Sequence, residues 1–340
     1  MINDRTLTLC LLAALGVATS LSSCVSHVPI GTEYHAESEN HEVVVGLRFV
    51  TNRQLRTTDS NGDYYGDDLG ELSAGECKVG FEKNDRRGEI LRVDPAPIES
   101  ILPSDGLQPF VIYIHGYGES FARSCRRAAL LQQRLRLQGR LLLFSWPSST
   151  YLTYAQDADD LEKSLGHLNE LLSAAADSVG QQHLILLAHS MGSRGVVDAL
   201  KLRNNGTAKF ANIVFIAPDI RRDVFLENVH ILQDKASEIT VYMSDNDRVL
   251  WLSATVNTSG RLGLAKQFSV DIEHISVVDI TPTGTNDISG HMYHMFNPAV
   301  TEDLRHLFGS AVAGEPREFR RVASEVTGFW TLEPDVTDAD

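Results

Sequence analysis

A serine lies at the tip of a short motif, Ala188-His189-Ser190-Met191-Gly192. The apolar run at 184–187 precedes the motif and a helix-like stretch at 193–203 follows it, so the order predicts a strand, a sharp turn and a helix. A serine hydroxyl is a poor nucleophile unless such a turn exposes it and a general base activates it. Alanine replaces the first glycine of the usual elbow pattern, but its small side chain still suits a tight crossing of strand and helix. The motif therefore predicts a catalytic serine, with a serine that only caps the helix as the alternative.

Buried strands that alternate with helices are expected to position this serine. Continuous apolar runs predict strands at 110–114, 141–144, 184–187, 213–216, 239–243 and 274–278. A three- and four-residue apolar spacing predicts one long helix over Asp157–Val179. Strands that are apolar throughout are typical of a mostly parallel sheet covered by helices on both faces, so the predicted class is α/β. In such a sheet the chemistry lies at the carboxyl ends of the strands.

The chain on either side of this core is expected to be simpler. Strands are predicted at 43–50, 76–81 and 90–93, the last two as a hairpin, and the Gly- and Asp-rich stretch at 57–75 predicts a surface loop. The domain is accordingly assigned to residues 43–310, with an N-terminal strand and hairpin extension at 43–105 and a C-terminal tail at 311–340.

Acidic residues at strand ends are the candidates for the carboxylate that orients a base. Asp247 follows the predicted strand at 239–243, and Asp219 follows the one at 213–216. In chains with a serine at such a turn, the acid usually follows the strand that precedes the strand leading to the histidine, so Asp247 is preferred. Asp219 is the reserve, and Asp245 is the third candidate. A solvated turn carboxylate, or an ion pair with Arg248, is the alternative for Asp247.

Four histidines beyond Asp247 are candidates for the base. His274 begins a strand, which is the wrong edge of a parallel sheet, and His306 lies in a late helix-like run. His291 and His294 both lie in a loop after the last core strand. His291 is preferred because Gly290 lets its loop bring the ring over the serine, and His294 is the reserve.

Two backbone N–H groups are expected to form an oxyanion hole. Met191 follows the serine directly, and Tyr117 lies in the glycine-containing turn His115-Gly116-Tyr117-Gly118 after the first core strand. Only about twenty residues separate Asp219 from the strand at 239–243, which is enough for one crossover helix and leaves no room for a large cap domain. The site is therefore expected to be open.

The N-terminus is predicted to carry a targeting signal. The apolar run at 7–21 is too short to span a membrane comfortably and predicts the hydrophobic part of a signal peptide, assigned to residues 1–23. Leu21-Ser22-Ser23-Cys24 resembles a bacterial lipobox, in which Cys24 is lipidated, and a polar tether at 24–42 follows. We therefore expect a lipid-anchored protein of the bacterial cell envelope, with an ordinary secretory signal as the alternative.

Charge and cysteine content bear on whether the protein binds nucleic acid, binds a metal or contains a disulfide. The net charge of −15 disfavours nucleic-acid binding, and the spacing of Cys and His does not indicate a metal site. Once Cys10 and Cys24 are set aside, Cys77 and Cys125 remain in an oxidising compartment, where they are free to form a disulfide. Two buried, unpaired thiols are the alternative.

Taken together, these motifs resemble the bacterial "domain of unknown function 900" group of α/β-hydrolases, which are esterase- or lipase-like and often secreted or lipid-anchored. The matching stretches are Arg48–Arg53, His115–Tyr117, Phe144–Ser148, Tyr154 with Asp157, Ala188–Arg194, Ala217–Ile220, Ser244–Arg248 and Gly290–Tyr293. The resemblance implies an α/β-hydrolase fold with Ser190 as nucleophile and Asp247 and His291 as its partners.

The expected function is a serine hydrolase of the carboxylesterase kind. It would act through a Ser-His-Asp triad on small or medium esters, small-molecule or lipid-like, without a metal or organic cofactor. A catalytically inactive envelope lipoprotein, which uses the same fold as a binding or scaffold domain, is the alternative.

Overall fold

Alternation of apolar side chains along each central strand builds two hydrophobic layers, one on each face of the sheet. In the strand at Phe110–Ile114, Phe110 and Ile112 pack into one layer and Val111 and Tyr113 into the other. The computed structural model describes residues 41–56, 64–83, 86–103, 109–149, 154–203, 209–256, 259–267, 275–310, 318–324 and 329–334. The signal segment, Cys24 and the tether up to residue 40 lie outside the described residues.

The described residues form strands and helices in alternation. The strands are β1 (Val43–Leu55), β2 (Tyr65–Phe81), β3 (Glu89–Pro95), β4 (Phe110–Ile114), β5 (Leu141–Ser145), β6 (Leu184–His189), β7 (Phe210–Ile216), β8 (Ala236–Met243), β9 (Ile275–Asp279), β10 (Phe319–Ala323) and β11 (Phe329–Pro334). The helices are α1 (Ile98–Ile101), α2 (Phe121–Arg134), α3 (Tyr154–Lys163), α4 (Leu165–Val179), α5 (Gly192–Leu202), α6 (Arg222–Lys235), α7 (Arg248–Val256), α8 (Tyr293–Phe296) and α9 (Pro298–Leu307).

All of these strands belong to one sheet, in the order β10-β11-β9-β8-β7-β6-β4-β5-β1-β2-β3. Pairing is parallel from β11 through to β1, and antiparallel only in the outer pairs β10–β11, β1–β2 and β2–β3. Side chains from α3, α4, α5 and α6 pack into one hydrophobic layer, and those from α2, α8 and α9 into the other. The predicted mostly parallel sheet with helices on both faces is therefore confirmed.

The connection between β7 and β8 holds the single crossover helix that its length predicted. This helix, α6, places Phe225 and Leu232 in the core and leads directly into β8. A large cap domain is thus absent at this point of the described chain. Among the described residues, none of the helices combines the length and apolar character that a bilayer crossing requires.

The N-terminal extension differs from its prediction. Residues 65–75, expected as a surface loop, form the first part of β2 and pair with the end of β1. The register shifts on both sides of Arg53, so the ribbon bends, and a Cβ at Gly70 would lie 2.7 Å from the Cα of Gln54. Glycine is required there by the close approach of two backbones, which the sequence analysis read as a loop signal.

Two further segments depart from their predictions. The helix expected over 157–179 begins earlier, at Tyr154, and is divided at Ser164, whose hydroxyl donates to the Asp160 carbonyl oxygen at 2.7 Å. The segment assigned as a C-terminal tail contributes β10 and β11, and β11 pairs in parallel with β9. β10 pairs with the nearby β11, but the strand that joins this pair to the sheet, β9, is distant in the sequence.

Candidate active site

Ser190 occupies the sharp turn between β6 and α5. Its φ of 53° lies in the left-handed region, which a residue with a side chain adopts only under constraint. Two backbone hydrogen bonds supply that constraint, from the Ser190 N–H to the Ile216 carbonyl at 3.0 Å and from the Asp219 N–H to the Ser190 carbonyl at 3.2 Å. The turn has the geometry of a nucleophile elbow, as the motif predicted.

Asp247 and His291 form a buried pair. The Nδ1 atom of His291 lies 2.7 Å from the Asp247 Oδ2 atom, and the other carboxylate oxygen accepts the Leu250 N–H at 2.9 Å. Burial by itself lowers the pKa of His291, but the charge and hydrogen bond of Asp247 outweigh it, so this pKa lies above its usual value. The carboxylate thus fixes the ring and leaves Nε2 as the nitrogen available for proton transfer.

Asp219, the reserve acid, has different partners. Its Oδ1 accepts a hydrogen bond from the Ser253 hydroxyl at 2.8 Å and lies 3.2 Å from Arg261 Nε, within ion-pair distance although that N–H is not aligned for a hydrogen bond. Both members of this ion pair are buried. Asp219 is still close enough for its charge to raise the pKa of His291. It is therefore a second carboxylate near His291, paired with an arginine.

Asp245, the third candidate acid, has a backbone partner. Its carboxylate accepts the Lys266 N–H at 3.0 and 3.2 Å.

His294, the reserve candidate for the base, packs its ring against that of His189. Its Nε2 is 3.4 Å from the Tyr113 hydroxyl, and its ring centroid is 4.4 Å from that of His189. Burial, followed by the neighbouring His291, lowers the pKa of His294 well below its usual value. His294 is therefore neutral at physiological pH, and its ring packs in a buried layer. The other two histidines considered are His306, on α9, and His274, which lies outside the described residues.

His189 is a residue whose role the sequence did not indicate. Its Nε2 lies 3.2 Å from the His291 carbonyl oxygen, so the protonated ring nitrogen donates to the loop that carries His291. Burial is the main reason why the pKa of His189 is well below its usual value. This bond ties the loop that carries His291 to β6, the strand that leads into Ser190. The variable position of the elbow motif gives no sign of such a contact.

The loop after β4 runs directly beside Ser190. A Cβ at Gly116 would lie 2.8 Å from the Ser190 Cβ atom, so only glycine allows the two backbones to approach this closely. Tyr117 follows, with its side chain 41% exposed, while the Met191 side chain is fully buried at the start of α5. Gly116 thus lies against the serine and Met191 follows it directly, while the roles of Tyr117 and Met191 as oxyanion donors stay a prediction.

Ser148 and Asp157 hold this loop, a role that their residue types and spacing do not reveal. The Ser148 hydroxyl accepts the N–H groups of Gly118 at 2.8 Å and Glu119 at 3.2 Å, and it donates to the Asp157 carboxylate. Burial raises the pKa of Asp157, against the hydrogen bonds from Ser148, Gly118 and Ser149, which lower it. The two residues belong to motif stretches that the resemblance had singled out, which was their only signal.

Cys77 and Cys125 meet in the core, far from the serine in sequence. Their Sγ atoms are 2.9 Å apart as two buried thiols, without a covalent bond between them. Burial raises the pKa of the Cys77 thiol well above its usual value. The contact joins β2 to α2, and the disulfide stays a prediction. In the ranges that the structure describes, no cluster of three or more His, Cys, Asp or Glu side chains is arranged to hold a metal ion.

A mostly parallel sheet with helices on both faces, an elbow after β6 and a carboxylate-paired histidine after β9 define an α/β-hydrolase. A family model described as "Alpha/beta hydrolase of unknown function (DUF900)" matches residues 96–310, and the chain belongs to this family.

Solved structures with similar folds include hydrolases and esterases. The ydeN gene product of B. subtilis is 16% identical with a TM-score of 0.36, over 59% of this chain and 99% of its own. A putative hydrolase of Agrobacterium vitis S4 is 13% identical with a TM-score of 0.36, over 72% of this chain and 95% of its own. The thermostable carboxylesterase EstE1, from a metagenomic library, is 12% identical with a TM-score of 0.36, over 79% of this chain and 90% of its own. No curated protein matches the sequence.

Proposed function

We propose that this protein is a serine hydrolase that cleaves carboxylic esters. The observation that carries the proposal is the buried His291–Asp247 pair, with 2.7 Å between Nδ1 and Oδ2, which follows the Ser190 elbow in chain order. Nucleophilic acyl transfer in this fold uses a serine whose backbone is in the left-handed region, together with an imidazole oriented by a carboxylate.

The reaction proceeds in two halves. His291 Nε2 accepts the Ser190 proton as the hydroxyl oxygen attacks the ester carbonyl, and the Tyr117 and Met191 N–H groups stabilise the oxyanion that forms. His291 then returns the proton to the departing alcohol, which leaves an acyl group on Ser190. Water, deprotonated by the same imidazole, releases the acid and restores the serine. Asp247 stabilises the imidazolium in both halves.

The surface around the site favours esters with an apolar portion. Of the nine large hydrophobic side chains exposed in the described residues, five lie on segments at this edge: Tyr117, Val249, Trp251, Leu252 and Ile288. Since the β7–β8 connection carries only α6, an ester approaches without displacing a cap. We therefore propose small or medium, hydrophobic esters as substrates.

A fluorophosphonate probe tests the proposal. Wild-type protein should be labelled covalently and should hydrolyse p-nitrophenyl esters, and Ser190→Ala should lose both properties. Ser173→Ala, on the exposed face of α4, is the matched control and should keep both. Folded wild-type protein that neither labels nor hydrolyses any ester in a panel of short, medium and long acyl chains would refute the proposal and favour a non-catalytic binding protein.

The proposed location is the bacterial cell envelope, through a lipid on Cys24. The polar tether at 24–42 supports this location because it would separate an anchored Cys24 from the first strand, which begins at Val43. Cys24→Ala should move the protein from the membrane fraction to the soluble fraction, while Cys10→Ala should not. A Cys24→Ala protein that stays with the membranes would contradict the lipid anchor.

A further inference from the structure

The first strand of the chain reaches the edge of the sheet where Ser190 lies. β1 runs parallel to β5, with Thr51 opposite Ser145, and the Thr51 hydroxyl donates to the Ser145 carbonyl oxygen at 2.6 Å. The carboxyl end of β1 is therefore at the same edge as the carboxyl ends of β4, β5 and β6. This strand lies before the segment at 96–310 that the family model matches.

Arg53 follows at this edge as a buried cation, only 1% exposed. Its guanidinium donates to five acceptors: Ser145 Oγ at 3.0 Å, the Gly66 and Ser148 carbonyls and Asp67 Oδ1 at 3.1 Å each, and the Glu119 carbonyl at 2.6 Å. Burial lowers the pKa of Arg53 to about 10, against the opposing effect of Asp67, so the side chain is charged at neutral pH.

The loop after β4, at 115–119, carries the predicted oxyanion donor Tyr117 and is called the oxyanion loop. Two of the acceptors of Arg53 are the carbonyl groups of Glu119, in this loop, and of Ser148, whose hydroxyl holds the loop. Glu119 is two residues from Tyr117, and the Ser148 hydroxyl accepts the N–H groups of Gly118 and Glu119. Arg53 therefore joins the end of the loop, through the Glu119 carbonyl, to the segment that holds it, through the Ser148 carbonyl. Asp157 holds the same serine from the side of α3.

We propose that Arg53 is a positioning residue for the oxyanion loop: its guanidinium fixes Glu119 against Ser148, and this sets the place of the Tyr117 N–H beside Ser190. The inference rests on the proposed function, because it concerns the oxyanion formed on that serine. It makes the N-terminal extension part of the working site. An arginine that only stabilised the fold would change the melting temperature and leave the turnover of the folded protein intact.

Arg53→Lys is the primary test because it keeps the charge and removes the planar fork of donors. A lysine ammonium cannot bridge the Glu119 and Ser148 carbonyls in the same geometry, so the loop loses its fixed position. Loss of one oxyanion donor lowers kcat by about 10²–10³, and a displaced donor should lose part of that, about 10–100-fold, with KM within about threefold. Arg48→Lys, a part-exposed arginine of the same strand, is the matched control and should leave kcat unchanged.

A transition-state probe separates positioning from stability. Affinity for an aryl boronic acid, which forms a tetrahedral adduct on the serine, should fall in Arg53→Lys by about the same factor as kcat/KM. In Asp157→Asn the single amide oxygen cannot accept both from Ser148 and Gly118 on one side and from the Ser149 N–H on the other, so one of these contacts is lost and the same pattern should appear from the other side of the loop. Because both changes act on one loop, the loss in the double variant should be smaller than the product of the single losses.

The outcomes are distinguishable. A folded Arg53→Lys protein with wild-type kcat and boronic-acid affinity overturns the inference, as does a loss confined to the melting temperature or to KM. Should Arg53→Lys fail to fold, an Asp157→Asn protein with unaltered kcat overturns it instead. Wild-type protein without hydrolysis or labelling overturns the proposed function, whereas active wild-type protein with insensitive variants overturns this inference alone.

Discussion

Replacing Asp247 with asparagine is the sharpest test of the site because it changes one atom of the pair that carries the proposal. The Oδ1 oxygen can still accept the Leu250 N–H, which at present donates to it at 2.9 Å, so the loop should keep its fold. The amide hydrogens then face His291 Nδ1, where Oδ2 now lies at 2.7 Å. The ring must accept at Nδ1, and its proton moves to Nε2, the nitrogen that has to receive the Ser190 proton.

The expected loss follows from this change of tautomer. In serine proteases the equivalent change lowers kcat by about 10⁴ with the geometry intact, which corresponds to about 5.4 kcal/mol of transition-state stabilisation. The pH dependence should change as well. His291 must be neutral to act as a base, and Asp247 raises its pKa, so activity in the wild type rises with pH through that raised value. In Asp247→Asn the anion is gone, the pKa of His291 falls, and the acidic limb of the residual kcat/KM should move to lower pH.

The assay is kcat/KM for a soluble p-nitrophenyl ester from about pH 5 to 9, with thermal melting of each variant. Asp219→Asn is the comparison. It leaves Arg261 buried without its counter-ion, so it should lower the free energy of unfolding by about 3–5 kcal/mol and reduce kcat by less than about tenfold in the folded protein. The reasoning is refuted if Asp247→Asn keeps kcat within about tenfold of the wild type while Asp219→Asn loses about 10⁴.

Two further predictions concern the base and the cysteines. His291→Ala should abolish hydrolysis, whereas His294→Ala, which removes a neutral ring of the buried layer, should keep kcat within about tenfold where it is folded, and the reverse result would make His294 the base. In protein purified after export, Cys77 and Cys125 should resist alkylation under denaturing conditions until a reductant is added; ready alkylation of both would contradict the disulfide. Because the two residues are 48 positions apart, reduction should lower the free energy of unfolding by about 4 kcal/mol, which melting with and without reductant measures.

The centre of the fold was predictable because its signal is local. Continuous apolar runs at 110–114 and 141–144 correspond to β4 and β5, and the runs at 213–216 and 239–243 lie within β7 and β8. A strand buried on both faces has few alternatives to an apolar composition. The edges were not predictable in this way. The first half of β2 is polar because its ribbon is part-exposed, and its partner β1 is what makes it a strand.

The candidate site likewise combines residues with a local sequence signal and residues whose role depends on long-range contacts. Ser190 was predictable from its own motif. Chain order favoured Asp247 over Asp219, but the contact that pairs Asp247 with His291, and Asp219 with Arg261, is visible only in the structure. The role of Arg53 depends on contacts with Glu119 and Ser148, 66 and 95 residues away. Such contacts are set by the sheet order, which places β1 beside β5.

The left-handed turn at Ser190 has a consequence for the evolution of this chain. A φ of 53° costs about 1–2 kcal/mol for a residue with a Cβ and almost nothing for glycine. Selection for stability alone would therefore replace this serine with glycine, and the proposed catalysis is what would favour keeping the hydroxyl there. Ser190→Gly should accordingly melt at a higher temperature than Ser190→Ala, which keeps the strain, although both are inactive. The proposed nucleophile is thus held at a position where folding and the proposed catalysis favour different residues.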